Sequence, residues 1–310
     1  MYGTTVKAKP FLKWAGGKTQ LLDQIMSRLP KGIREGRISR YIEPFVGSGA
    51  VMFELVQTYN IEDVLIFDIN HELITVYEVV QQNVERLIER LSGLEKKFLA
   101  LEKVERKEMY YEIRQQFNKK LTGFCYETYV DYKIERACQF IFLNKTCFNG
   151  LFRVNKKGEF NVPMGDYKNP TICDVENLRA ASAVLQRVRI AQGDYKESRK
   201  FVDDKTFVYF DPPYRPLSAS SSFTAYSKFD FTDEHQRELA EYYRELHERG
   251  AFLMLSNSDP KNMNPNDEFF DKLYEEFDIE RITARRNINS NGNGRGTIHE
   301  ILVTNNYLTQ

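Results

Sequence analysis

The residues best suited to chemistry are four in a row, Asp211-Pro212-Pro213-Tyr214, directly after the apolar run Phe207-Val208-Tyr209-Phe210. Such a run reads as a buried strand. In open parallel sheets, ligands bind off the carboxyl ends of strands, so these four stand where a reactive site belongs. The Asp211 carboxylate and the Pro212 carbonyl are adjacent acceptors, and each can take one N–H of an amine. An amine on an aromatic ring is a poor nucleophile, because its lone pair is delocalised. Held by two acceptors, it directs lone-pair density at an electrophile. The prolines stiffen the loop and fix its carbonyls. Tyr214 offers a face for a base drawn out of its stack. With a sulfonium methyl as the electrophile, no metal or strong base is demanded, and alignment and electrostatics do most of the catalysis. The plainer alternative is a proline turn capping a strand.

A second constellation is Glu43-Pro44-Phe45-Val46-Gly47-Ser48-Gly49, whose glycines let the backbone turn tightly and approach a ligand. Asp68 ends the next apolar run, 21 positions after Gly47, a spacing that suits two ribose hydroxyls. Met52 stands at the third fingerprint position in place of Gly or Ala, which weakens a dehydrogenase reading. The alternative for Asp68 is a helix cap before Asn70. A third segment holds Gly17-Lys18-Thr19, but Leu12 stands where a phosphate loop needs glycine, which disfavours an NTPase. Lys18 instead suits a donor's carboxylate. Trp14 either packs beside the cofactor or is wedged into the core.

The stretch from Phe148 to Pro170 is rich in Asn, Gly and aromatics and reads as a hairpin turning at Asn155-Lys156-Lys157-Gly158. An aromatic and an Asn at a loop tip, Phe148 and Asn149, suit a wedge into a base stack. Arg153 suits a guanine edge, and apolar side chains suit a thymine methyl. A solvated hairpin is equally compatible with this composition. From Arg281 to Gly296 there are four arginines and no acid, and the Asn/Gly-rich part of it, Arg285 to Arg295, suits phosphate contact as well as it suits a mobile surface loop.

These residues need elements to position them. Arg40 to Phe45 reads as a strand, Ala50 to Tyr59 as a helix and Val64 to Phe67 as a second strand. Apolar positions then recur at helical spacing from about Glu72 to Cys147. Strand and helix alternate again at Val188 to Ala191, Lys205 to Phe210, Asp233 to Arg249, Ala251 to Leu255 and Glu300 to Thr304. Alternation of this kind predicts an α/β, Rossmann-like sheet built from both ends of the chain, with a helical and hairpin module inserted. The expected division is a catalytic domain of residues 1–72 and 171–310 around a recognition domain of residues 73–170, with the hairpin near 148–167.

The chain has 310 residues, 42% of them hydrophobic and 28% charged, which excludes a disordered or fibrous protein. Lys plus Arg and Asp plus Glu are 44 each, so the formal net charge is zero, against the basic excess usual in nucleic-acid enzymes. The charge is locally segregated. Lys145 to Lys168 carries five basic residues against Glu159 and Asp166, while Glu85 to Glu112 carries many acids. Four cysteines without a CxxC pair, and only four His, argue against a metal site and fit a reducing compartment. Lys7, Lys9 and Lys13 interrupt any signal-peptide core, and no apolar run approaches the ~20 residues of a membrane span. The expectation is a cytoplasmic protein of a prokaryotic cell or phage, associated with DNA.

Taken in order, FLKWAGGK at Phe11, EPFVGSGAV at Glu43, FNGLFRVNKKGEFNVP at Phe148, DPPYRPLS at Asp211 and LSNS at Leu255 resemble the motifs of the DNA adenine methyltransferase (Dam) family. Their order matches its alpha group, and the likeness runs from about Phe11 to Asn305. The resemblance implies transfer of a methyl from S-adenosylmethionine to N6 of adenine in duplex DNA, within GATC and by base flipping, leaving S-adenosylhomocysteine. It implies donor contacts at Trp14, Lys18, Asp68 and Asp211, with Phe45 and Gly47 lining the site and Asp194 near the donor's adenine. It implies that Lys13, Leu151, Arg153, Pro163 and Tyr167 read or clamp the DNA and that Phe148 and Asn149 intrude into the stack. Asp166 departs from the pattern, because similar enzymes often carry a basic residue there. Catalysis falls to Asp211, Pro212 and Tyr214, with no metal. Double-stranded DNA is the expected partner and no membrane is, a cognate restriction endonuclease is a candidate functional partner, and a monomer is the default. Competing readings are an N4-cytosine or RNA adenine methyltransferase of the same fold and, from another class, a non-catalytic DNA-binding module.

Overall fold

The strand before the Asp-Pro-Pro-Tyr segment, Thr206–Phe210, is buried at every position. A continuous apolar run belongs in the middle of a sheet covered on both faces, and that is where it lies. The computed structural model describes residues 6–14, 16–119, 130–215, 231–285 and 297–308. Its strands are β1 Arg40–Glu43, β2 Asp63–Asp68, β3 Val188–Gln192, β4 Thr206–Phe210, β5 Phe252–Ser258, β6 Asp278–Arg285 and β7 Thr297–Thr304. They form one sheet in the order β3-β2-β1-β4-β5-β7-β6. The first five are mutually parallel, and β7 runs antiparallel to both β5 and β6. The order reverses at β1, so β1 and β4 diverge from a switch point. The Rossmann-like sheet expected from the alternation is present.

Nine α-helices surround it among the described residues: α1 Leu22–Ser27, α2 Lys31–Arg34, α3 Ala50–Thr58, α4 His71–Ala100, α5 Lys103–Lys119, α6 Val130–Thr146, α7 Val175–Leu185, α8 Asp233–Glu248 and α9 Phe269–Leu273. Strand side chains alternate between two cores, as a period of two requires. Tyr41, Ile66, Phe207 and Tyr209 join α3, α4, α6 and α7 in one. Ile42, Leu65, Phe67, Val208 and Phe210 join α8 and α9 in the other.

Helix α4 starts at the end of β2, where the Asn70 side chain accepts from the Glu72 and Leu73 N–H groups and caps it. Of the apolar positions at helical spacing, Leu73, Val76, Tyr77, Val80, Leu87, Ile88 and Leu91 are buried, and Val84 is half-buried. Arg136 of α6, also buried, ties the helices together. Its guanidinium pairs with Glu72 of α4 at 2.6 Å, donates to the Phe117 carbonyl of α5 and lies over the Phe117 ring at 3.6 Å.

Beyond α6 the chain folds back on itself. Val154 bridges Phe160 and Cys147 bridges Met164, both antiparallel, around a turn in which the Gly158 N–H donates to the Asn155 carbonyl at 2.8 Å. Strand β6 has no counterpart in the sequence reading. Its alternation of Ile279 and Ile282 with Asp278, Glu280 and Arg281 is too irregular to stand out. It forms the sheet's edge, which Gln24 of α1 and Arg28 just after it meet, the first donating to the Thr283 carbonyl and the second pairing with Glu280, both at 2.9 Å. Among the described residues no helix is long and apolar enough to cross a membrane.

Candidate active site

Asp211 is the first residue past β4. Its carboxylate retains a fifth of its side-chain exposure and pairs at 2.7 Å with the ammonium of Lys18, which is only 3% exposed. Lys18 also donates to the Gly16 carbonyl at 2.7 Å. The Ser256 hydroxyl, from β5 next door, donates to the same Asp211 oxygen at 3.1 Å. Burial pushes the Asp211 carboxyl above its usual range, against the pull of Lys18 and Ser256. Pro212 is buried beside it. The Tyr214 ring lies 4.5 Å from the Lys18 ammonium, and its hydroxyl donates to Glu300 of β7. Glu300 is itself 4.0 Å from Lys18. Arg215 then anchors the segment by pairing with Asp233 and Asp267, each at 2.8 Å.

The glycine turn lies alongside. Gly47 and Gly49 both adopt positive φ, 46° and 69°. A Cβ on Gly47 would stand 2.9 Å from the Trp14 indole, and one on Gly49 would stand 2.7 Å from the Tyr77 hydroxyl, so neither position has room for a side chain. The Tyr77 hydroxyl donates to the Gly47 carbonyl at 3.0 Å. Asp68 does not cap α4. It accepts from the Gly47 N–H at 3.3 Å and the Asn70 N–H at 2.9 Å, and Asn70 makes the cap. Burial pushes the Asp68 carboxyl up to about 6 despite these two donors. Phe45 stacks on Tyr195 with ring centres 5.3 Å apart and meets Phe231 edge-on. Asp194 is exposed and caps the short helix Tyr195–Phe201 by accepting from the Lys196 N–H at 2.9 Å.

Trp14 satisfies neither simple alternative alone. It is half-buried, with Gly47 on one side and the Phe152 ring stacked 5.9 Å away on the other, so it joins the glycine turn to the hairpin. Its neighbour Lys13 is fixed by Asn144, which accepts from the Lys13 N–H at 2.9 Å and donates to the Lys13 and Gly150 carbonyls. The exposed Lys13 ammonium lies 4.2 Å over the Tyr167 ring.

Phe148 is 53% exposed. Asn149, also exposed, has φ of 57°, a conformation that holds it at the tip. Leu151 and Arg153 are half-exposed, and the Arg153 Nε donates to Asn161 at 2.9 Å. The exposed Pro163 accepts from the Phe148 N–H at 2.9 Å. Asp166 pairs with Lys103 at the surface, at 2.8 Å. Of the basic stretch from Arg281 to Gly296, residues 286–296 lie outside the described residues, while Arg281 pairs with Asp259 and Asp271.

Lys18, Asp211 and Tyr214 therefore meet in one cluster, Gly47 and Asp68 form a second beside it, and the hairpin joins the second through Trp14. Three residues that complete these clusters had no role assigned from the sequence: Tyr77, Glu300 and Ser256, the last lying within the quoted LSNS segment. Ser256 and Glu300 left the signal of a polar side chain interrupting an apolar strand.

The likeness to known proteins extends over nearly the whole chain. Residues 14–288 match the family described as D12 class N6 adenine-specific DNA methyltransferase. The chain is 53% identical over 301 residues to the type II methyltransferase M.MjaIII of Methanocaldococcus jannaschii, covering 97% of this chain and 100% of that one. It is 37% identical to the type II methyltransferase M1.LlaDCHI of Lactococcus lactis subsp. cremoris, covering 97% and 96%. It is 35% identical to the DNA adenine methylase of Escherichia coli K12, covering 96% and 95%. With its Asp-Pro-Pro-Tyr segment set at the carboxyl edge of a Rossmann-like sheet, this chain belongs to the D12 class of N6 adenine-specific DNA methyltransferases.

Proposed function

We propose that the enzyme methylates N6 of adenine within GATC in duplex DNA, acting on a base extruded from the helix. The observation that carries this reading is the meeting of Asp211, Lys18 and Tyr214 in one part-buried cluster past β4. Asp211 and the Pro212 carbonyl hold the two N–H groups of the amine, and the Tyr214 ring stacks on the base. The methylated nitrogen sheds one proton, and Asp211, whose proton affinity burial raises, is the group assigned to receive it.

Membership of the family implies S-adenosylmethionine as the donor. The residues present fit it. The glycine turn admits no Cβ against Trp14 or Tyr77, so backbone rather than side chains faces the ligand. Asp68 ends β2 as an acceptor for ribose hydroxyls, Phe45 supplies an aromatic face, and Asp194 lies one strand away. Lys18 and Trp14 complete the pocket. When bound, the donor supplies an electrophilic methyl carried on sulfur.

Residues 73–170 form the recognition domain in this reading, and 1–72 with 171–310 the catalytic one. Lys13, Leu151, Arg153, Pro163 and Tyr167 contact the duplex, and Phe148 and Asn149 enter the stack. The exposure of Phe148 supports this, because a large apolar side chain left in water at a loop tip is suited to insertion.

The test is transfer of tritiated methyl to otherwise identical duplexes with and without GATC. Only the first is expected to label. Equal labelling of both would remove the sequence assignment and leave the chemistry. An Asp211→Ala variant is expected to lose about 10²–10³ in rate, the size seen when one electrostatic contact to the reacting group is removed. A variant at full rate would overturn the mechanism.

A further inference from the structure

We propose that Glu300 is a positioning residue that holds the Tyr214 ring in its stacking orientation. The inference rests on the reading above that Tyr214 stacks on the target base. Glu300 reaches the site because β7 is reversed. Parallel strands bring their carboxyl ends to this edge of the sheet, whereas an antiparallel strand brings its beginning. Glu300 is the fourth residue of β7 and lies in register with Ser258 of β5 and Ile282 of β6, so its backbone is fixed from both sides.

Its carboxylate is 14% exposed and accepts the Tyr214 hydroxyl. Burial raises its proton affinity, with Lys18 and the Tyr214 hydroxyl opposing. The Lys18 ammonium then faces the ring at 4.5 Å while lying 4.0 Å from the acceptor. One contact fixes the ring's hydroxyl end and the other lies over its face, which together define the ring plane. Asp211, which pairs with the same ammonium, is left with its second oxygen and the neighbouring Pro212 carbonyl for the amine. On this account Asp211 and Glu300 divide the labour around one lysine: the first faces the base nitrogen, and the second sets the surface beneath the base.

The experiment uses the full chain and a duplex with 2-aminopurine at the adenine that the wild-type enzyme methylates, located by mapping modified adenines. Stacking quenches this fluorophore, so a misaligned Tyr214 leaves the complex brighter. Glu300→Ala is expected to brighten the complex and to slow single-turnover methylation about ten- to hundredfold, as loss of a hydrogen bond to a charged group would, with duplex affinity nearly unchanged. Glu300→Gln still offers an acceptor oxygen and is expected to restore most of the rate and the quenching. Tyr214→Phe should reproduce Glu300→Ala, and the double variant should be no slower than Tyr214→Phe alone. Thermal melts of each variant separate loss of folding from loss of alignment, and the Gln variant carries the test if Ala unfolds. A Gln variant as slow as Ala would overturn the proposal, because charge beside Lys18 would then be what matters. So would additive losses in the double variant. Either outcome leaves the role of Asp211 standing, whereas a fully active Asp211→Ala enzyme would remove the reading on which this one rests.

Discussion

At the scale of single residues, Glu43 shows what burial does to a charge. It ends β1 only 2% exposed, and the Tyr41 hydroxyl donates to it at 2.7 Å. Burial pushes its carboxyl up to about 8; Asp211 pushes the same way, while Tyr41, the Met52 N–H and Lys18 pull it down. Between about 4.5 and about 8 the folded chain therefore holds a proton that the unfolded chain has released. Stability should fall as pH rises through that window, and the full penalty stands above it. Glu43→Gln stays neutral throughout. It is expected to match the wild type near pH 5 and to exceed it at pH 9 by something on the order of 2–4 kcal/mol. Urea titrations of both proteins across the range measure this, and parallel pH curves would show that Glu43 does not titrate there. In the native enzyme near neutrality Glu43 is thus a neutral neighbour of the Asp211–Lys18 pair.

At the scale of elements, the turn from β1 into α3 is the part least able to absorb change. Gly49 caps α3 with φ of 69°, and a Cβ there would meet the buried Tyr77 hydroxyl. Gly49→Ala is expected to cost about 2–4 kcal/mol, combining a strained backbone with overpacking. It should also weaken donor binding, because displacing Tyr77 frees the Gly47 carbonyl it holds. Calorimetric titration with S-adenosylmethionine, paired with urea melts, checks both; unchanged affinity would separate the turn from the donor site.

This turn was legible in the sequence because its determinants are local: two glycines after one apolar run and an acid after the next. The same holds for Asp211 to Tyr214, which announce themselves at the end of a strand buried on both faces. The arrival of Glu300 at the site was not legible, nor was β6. Whether the last strand runs with or against its neighbour β5 is decided by tertiary pairing, and a parallel strand would have carried Glu300 to the far edge of the sheet. Trp14 could not be resolved either. Its two candidate surroundings, the turn and the hairpin, lie more than 100 residues apart in sequence and meet only in the fold.

At the scale of the whole molecule, one apolar core runs from the sheet into the inserted helices. Tyr41 and Phe207 of the sheet share it with Phe140 of α6 and Phe152 beyond it. The two expected domains should therefore unfold together. Arg136, with Glu72 and Phe117 around it, is the polar tie inside that core. Arg136→Ala would take the buried cation away from the Glu72 carboxylate, at a cost of about 3–5 kcal/mol. The expected calorimetric trace is a single peak at lower temperature, and two resolved peaks would show that the helices and the sheet fold independently.

The reversed seventh strand has one more consequence. The cluster around Lys18 draws on the chain's opening segment, its middle and its closing strand, so no stretch of polypeptide contains a working fragment of it. A copy that lacks either the Lys18 segment or β7 lacks part of the constellation. For an enzyme that writes lasting marks on a genome, such a copy is expected to mark slowly or not at all, and the topology is the reason.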